Sequence, residues 1–263
     1  MGILDKIIAS KRAELPELRS RALPTPPSHR PSVHLWRDTG TNRERSPLNL
    51  VCEIKKKSPS AGSLSTKLSV TERARQYAQG GATMISVLCD GPFFDGAYTH
   101  LLEARSGCDI PLLCKEFVID ECQLDAAQAY GASAVLLIVR CLQPQELSTF
   151  ISASVARGLL PLVEVFNPHE AQQALDAGAT CIGVNARDLN TLKMNSANAA
   201  AIVDSLPPSI TAMHLSGVKT PADVGKVAQG RSDAALIGEV LMREDHPLPL
   251  LTQLVAATEP NSP

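Results

Sequence analysis

Aromatic side chains are scarce: one Trp, three Tyr and five Phe make up 3% of the 263 residues. Neither sign of charge dominates, since Lys+Arg 25 stand against Asp+Glu 27 for a formal net charge of -2. A nucleic-acid groove needs a basic stripe and usually stacking rings, so no nucleic-acid partner is expected. Long apolar runs are missing too. The longest, 134–139 with its neighbours, is far short of the ~20 residues that cross a bilayer, so no membrane partner is expected. The start, Met1-Gly2-Ile3-Leu4-Asp5-Lys6, carries charges where a signal peptide would be apolar. Lys6 also stands where a myristoylation signal wants Ser or Thr, and the start reads as part of the mature fold.

Close cysteine pairs are absent as well. Cys52, Cys89, Cys108, Cys114, Cys122, Cys141 and Cys181 form an odd set without the spacing of a zinc knuckle or a redox pair. They read as reduced, mostly buried small hydrophobes of a cytoplasmic protein, with Cys89 and Cys114 flanking candidate site positions. The six histidines (His29, His34, His100, His169, His214 and His246) have no ligand spacing, so no metal is assigned. There is no G-x-G-x-x-G turn for a dinucleotide.

What is present is 44% hydrophobic residues in a chain long enough to hide roughly three quarters of its unfolded surface. One domain over 1–263 is expected. Residues 3–21 pattern as a helix, with Ile3, Leu4, Ile7, Ile8, Leu15 and Leu18 at helical spacing. Leu23-Pro24-Thr25-Pro26-Pro27-Ser28 cannot propagate it, which makes 1–46 a helical extension and connector. Beyond it, short apolar runs at 48–54, 84–88, 111–114, 134–139, 161–165, 181–184, 211–215 and 234–237 read as strands. Amphipathic stretches at 71–79, 121–130, 145–157, 169–177, 197–206 and 221–229 read as helices between them. The triplets Gly81-Ala82-Thr83, Gly131-Ala132-Ser133 and Gly178-Ala179-Thr180 each precede a strand as a weak repeat. Eight strand–helix units with right-handed crossovers predict an α/β fold, a (β/α)8 TIM barrel with an extra N-terminal helical segment.

In such a barrel the reactive side chains stand at the carboxyl ends of the strands. Glu53 and Lys55 come at the first end, Lys115 at the third, Glu164 at the fifth, and Asn185 with Arg187 at the sixth. Glu53 and Lys55 are two residues apart and so share one strand face, the barrel interior, where pairing makes burial of the charges tolerable. Each of these charges alone could be a structural pair or a solvated strand end. Two lysines and two carboxylates at one rim instead describe a proton-transfer site. At the seventh and eighth ends, Ser216-Gly217 and Gly238 offer bare backbone N–H groups to a phosphate.

These motifs resemble those of the indole-3-glycerol-phosphate synthase family over nearly the whole chain. The segments are CEIKKKSPSAG (52–62), YAQGGATMISVLCD (77–90), PLLCKEFVID (111–120), PLVEVFN (161–167), IGVNARDLNTL (182–192) and ALIGEVLM (235–242). The resemblance implies a cofactor-free lyase of tryptophan biosynthesis. Its substrate would be 1-(2-carboxyphenylamino)-1-deoxyribulose 5-phosphate, which closes a ring with loss of carbon dioxide and water. By matching motif, Lys115 would be the general acid toward the ribulose carbonyl oxygen, and Glu164 the acid/base of proton removal and dehydration. Lys55 would meet the acidic groups of the substrate with Glu53 orienting it, and Asn185 would position its hydroxyl and carboxylate region. Ser58 would order the first loop and Arg187 its own loop, while Ser216, Gly217 and Gly238 would cradle the phosphate and Glu239 would join the substrate-binding residues. The helical segment would lie over the barrel mouth, and the protein would be a monomer or weak homo-oligomer.

One departure bears on the chemistry. The family usually has Glu-Ser-Gly at the seventh strand end, whereas this chain has Leu215-Ser216-Gly217, which would make that side of the pocket more apolar. Smaller departures are Cys89 for Thr, Ala97 for Ser, Cys122 for Tyr and Phe166 for His. Beside an active synthase, two other readings stand open. One is a paralogue acting on a related arylamino sugar phosphate, and the other is a barrel that binds a phosphorylated ligand without turning it over.

Overall fold

The computed structural model describes residues 2–35, 37, 46–59, 62–65, 67–188 and 193–259. Eight strands close a barrel: Asn49–Ile54 (β1), Met84–Leu88 (β2), Leu112–Lys115 (β3), Ala134–Ile138 (β4), Leu160–Val165 (β5), Cys181–Asn185 (β6), Thr211–Leu215 (β7) and Ala234–Ile237 (β8). Each pairs in parallel with its sequence neighbour, and β1 pairs with β8 to close the ring. The expected (β/α)8 architecture is the one observed.

Alternation along the strands sorts the side chains. Val51, Met84, Leu113, Leu136, Leu162 and Met213 fill the interior, while Leu50, Ile85, Leu112, Val135, Ile182 and Ala235 face the helices. The triplet repeat is a helix stop. Gly81, Gly131 and Gly178 take φ of +93, +88 and +86, and the N–H groups of Ala82, Ala132 and Ala179 reach back to the carbonyls of Tyr77, Ala127 and Ala174, each at 3.0 Å. The next residue of the first two triplets enters a ladder, as in Thr83 N to Leu50 O at 2.9 Å. At the other end of the helices, Ser69, Asp120, Asn167, Asn195 and Thr220 cap the first turn with their side chains, so the βα loops end sharply.

Strand and helix edges shift by a residue or so. β3 runs one residue further than expected and takes in Lys115, paired with Leu88, whereas β4 stops at Ile138 and Val139–Cys141 turn as a 3-10 helix. Helices at Thr99–Arg105 and Leu248–Ala256 were outside the periodic reading. The first is short, and the second contains Pro249, which reads as a breaker but sits in the first turn where its missing N–H costs nothing.

Helix α1, Ile3–Ser20, precedes the barrel as expected and buries Leu4, Ile7 and Lys11. Lys11 Nζ lies 2.8 Å from Asp90 Oδ1 and 3.3 Å from Glu116 Oε2, so a buried ammonium between two carboxylates ties α1 to the loops after β2 and β3. Residues 36 and 38–45 of the expected connector lie outside the described residues. Within the described residues no helix is long and apolar enough to cross a membrane.

Candidate active site

Glu53 is the hub of the barrel mouth. It points inward from β1 with Lys55 beside it, as the two-residue spacing predicts, and its Oε1 pairs with the Lys55 ammonium. Its Oε2 lies 3.6 Å from Lys115 Nζ at the end of β3. Lys115 Nζ is in turn 3.9 Å from Oε2 of Glu164 on β5. Asn185 ends β6 and donates from Nδ2 to Glu164 Oε1 at 3.0 Å, while its Oδ1 accepts the Arg187 backbone N–H at 3.0 Å. Residues from four strands thus form one chain of contacts. Glu164 Oε2 is buried without a hydrogen-bond partner among the described residues.

Burial by itself would push the Glu53 carboxyl up, but the two ammonium groups of Lys55 and Lys115 outweigh it and hold the group below the ordinary carboxylate range. It therefore serves as a fixed negative charge that keeps both lysines pointed into the cavity. That cavity, of about 140 Å³, is lined by all eleven residues singled out from the sequence: Glu53, Lys55, Ser58, Lys115, Glu164, Asn185, Arg187, Ser216, Gly217, Gly238 and Glu239.

The ends of β7 and β8 supply the next part of the cavity wall, Ser216, Gly217 and Gly238, the last packed directly beside Glu53. Ser216 and Gly217 take φ of +73 and +91, consecutive left-handed residues at the end of β7, a kind of turn whose backbone N–H groups could meet an anion. Glu239 is 3.9 Å from Arg187 Nη2; burial raises its carboxyl, yet Arg243, Arg187 and Lys219 together bring it below the usual range. Lys219 also lines the cavity and was not singled out, since it lies in a loop with no strand pattern to mark it.

Two further contributors were not singled out as site residues, although the helix and the 111–120 motif that hold most of them were. Ile3 and Ile7 of α1, with Phe94 and Phe117, make an apolar wall. Glu116 follows Lys115, and strict alternation would send it to the opposite face; the strand ends at Lys115, and the turning chain brings Glu116 to the cavity edge. Burial pushes its carboxyl up to about 7, against the pull of Lys11 and the Phe117 N–H.

The sequence expectation for Leu215 needs correction. It does not line the cavity: it is fully buried in the interior cluster, against Leu162 and the bare Cα of Gly183. The apolar side of the mouth comes from α1 and the aromatic pair instead. Cys89 and Cys114 turn their sulfurs toward the helix layer, 3.6 Å apart, rather than to the cavity. His214 likewise is buried and lies outside the cavity lining; burial lowers its pKa.

A closed parallel barrel with ionisable groups gathered at one strand-end rim around a partly open, largely apolar cavity defines an α/β-barrel enzyme. The chain belongs to the indole-3-glycerol phosphate synthase family, whose model matches residues 4–253. It is 37% identical to the indole-3-glycerol phosphate synthase of Kineococcus radiotolerans over 267 residues, covering 98% of this chain and 96% of that one. It is 40% identical to that of an Exiguobacterium species over 206 residues, covering 78% and 81%. Among solved structures, a 3-hexulose-6-phosphate synthase superimposes with a TM-score of 0.64 at 16% identity, covering 80% of this chain and 99% of that one, a likeness of fold alone.

Proposed function

We propose that this protein converts 1-(2-carboxyphenylamino)-1-deoxyribulose 5-phosphate to indole-3-glycerol phosphate, a carboxy-lyase step of tryptophan biosynthesis that needs no cofactor. One observation carries the reading: Lys115 Nζ stands within 3.6 to 3.9 Å of two buried carboxylates, Glu53 and Glu164, at the head of a cavity with an apolar wall.

The aryl group of the substrate would lie against Ile3, Ile7, Phe94 and Phe117, and the phosphate against Ser216, Gly217 and Gly238, with Arg187 and Lys219 supplying positive charge. In this pose the ribulose carbonyl oxygen would stand near Lys115, whose ammonium would give it a proton as the aryl carbon attacks C2. Lys55, held by Glu53, faces the carboxylate until carbon dioxide leaves. Glu164 then assists removal of a proton from C1, beside the nitrogen, as the C2 hydroxyl departs as water, and its Oε2, without a hydrogen bond and 3.9 Å from Lys115 Nζ, is the atom placed to act. Asn185 keeps the other oxygen occupied.

The test is direct. Purified protein given this substrate with no added cofactor should develop indole absorbance, and no product over hours would reject the reading. A second reading, turnover of a related arylamino sugar phosphate, rests only on the sequence departure at Leu215, a side chain that does not reach the cavity. A normal rate on the unsubstituted ring, with no preference for ring-substituted analogues, would remove it.

A further inference from the structure

Arg140 follows β4 in the turn Val139–Cys141 and does not line the cavity. Its guanidinium nevertheless joins the segments that follow β5 and β6. Nε donates to Glu170 Oε1 at 2.7 Å and Nη1 to Asp188 Oδ2 at 2.9 Å, while the guanidinium carbon stands 4.2 Å from the centre of the Phe166 ring. Glu170 passes the contact on: its Oε2 accepts the Phe166 N–H at 2.8 Å and its Oε1 accepts from Asn167 Nδ2 at 2.7 Å.

Phe166 is two residues beyond Glu164, and Asp188 is three beyond Asn185. The two anchor points of Arg140 therefore lie just past the two partners of the Glu164–Asn185 hydrogen bond, one on each strand. We propose that Arg140 is a positioning residue that clamps the loops after β5 and β6 together and so holds Asn185 against Glu164. With 22% of the Arg140 side chain, 8% of Glu170 and 33% of Asp188 exposed, the Glu170 arm escapes most of the screening that makes surface pairs weak, and the Asp188 arm escapes less of it. It also needs arginine, because a planar fork reaches two carboxylates and stacks on a ring at once, which an ammonium cannot do. Phe166, where the family commonly has His, supplies that ring.

A shift of about 1 Å at a reacting group can cost on the order of 100-fold in rate. The proposal rests on the synthase reading, and two measurements on the full chain keep them separable: steady-state kinetics, and hydrogen exchange of the segments 164–168 and 185–188. In Arg140→Met, kcat should fall roughly 10- to 100-fold with KM changed less, because of the groups placed against the phosphate only Arg187 lies in the loosened segments. The Arg187 and Phe166 amides should exchange faster. Arg140→Lys should fall between this variant and the wild type. A lowered melting temperature with kcat at 25 °C within twofold of the wild type would overturn the proposal, because that is what a merely structural tie would do. If the wild type itself gives no turnover, the synthase reading fails and exchange decides alone: unchanged protection in Arg140→Met overturns the clamp, and lost protection upholds it.

Discussion

Gly238 and Glu53 share a space that holds one side chain: a Cβ at position 238 would stand 2.5 Å from Oε1 and 3.1 Å from Cβ of Glu53. Its backbone has φ -127, so the demand for glycine there is steric clearance and not a left-handed turn. The sequence suggested a phosphate-facing glycine; the structure adds that its bareness lets Glu53 sit between Lys55 and Lys115. Gly238→Ala should displace the Glu53 carboxylate and lower kcat at least tenfold, about the rate lost when a general acid is poorly placed. Steady-state turnover checks it, and a fully active Gly238→Ala would show that Glu53 has room to spare.

Removing the proton carriers separates acid from base. Lys115→Met and Glu164→Gln should each cost about 100- to 10,000-fold in kcat, the usual worth of positioned general acid–base groups, while the fold persists by circular dichroism. Lys115→Met turning over at the wild-type rate would remove it as the proton donor even if the overall reaction stands.

Leu215→Glu restores the family's residue to a place now packed against Leu162 and the Cα of Gly183. An uncompensated buried carboxylate costs a few kcal/mol, so a lower urea midpoint is expected, with kcat no higher than in the wild type. A large gain in rate would show instead that the missing carboxylate limits the chemistry.

Glu116 predicts a pH effect on stability. Its folded-state pKa is raised from 4.5 to about 7, so the folded protein retains a proton that the unfolded chain has released. Stability from this group is present in full below about 4.5, declines as pH rises toward 7 and is level above it. Urea midpoints across pH 4.5 to 7 should therefore fall less steeply in Glu116→Gln than in the wild type. Equal slopes would assign the dependence to other groups.

Lys11→Met would leave Asp90 and Glu116 buried with no ammonium between them, a loss of about 3 kcal/mol or more. Because α1 carries Ile3 and Ile7 over the cavity, KM for the substrate should rise together with the loss of stability. An unchanged KM would separate the ion pair from binding.

Much of this was legible along the chain because the informative signals are local. Spacing by two put Glu53 and Lys55 on one face, Gly-Ala triplets marked where helices stop, and apolar runs marked eight strands within a residue or two. The helix Leu248–Ala256 carried no periodic mark, and its Pro249 gives no help, because proline looks the same at the start of a helix as in its interior.

What the sequence by itself determined was therefore the type and order of the elements and the inward face of each strand, since backbone periodicity and cap chemistry act over a few residues. The barrel alone decided which charges meet. The 3.6 Å from Lys115 to Glu53, the burial of Leu215 below the cavity, the turn of Glu116 toward Lys11 and the reach of Arg140 across two loops all depend on ring closure and inter-strand register. Those are distances between segments far apart in the chain, and no pattern within any one segment carries them.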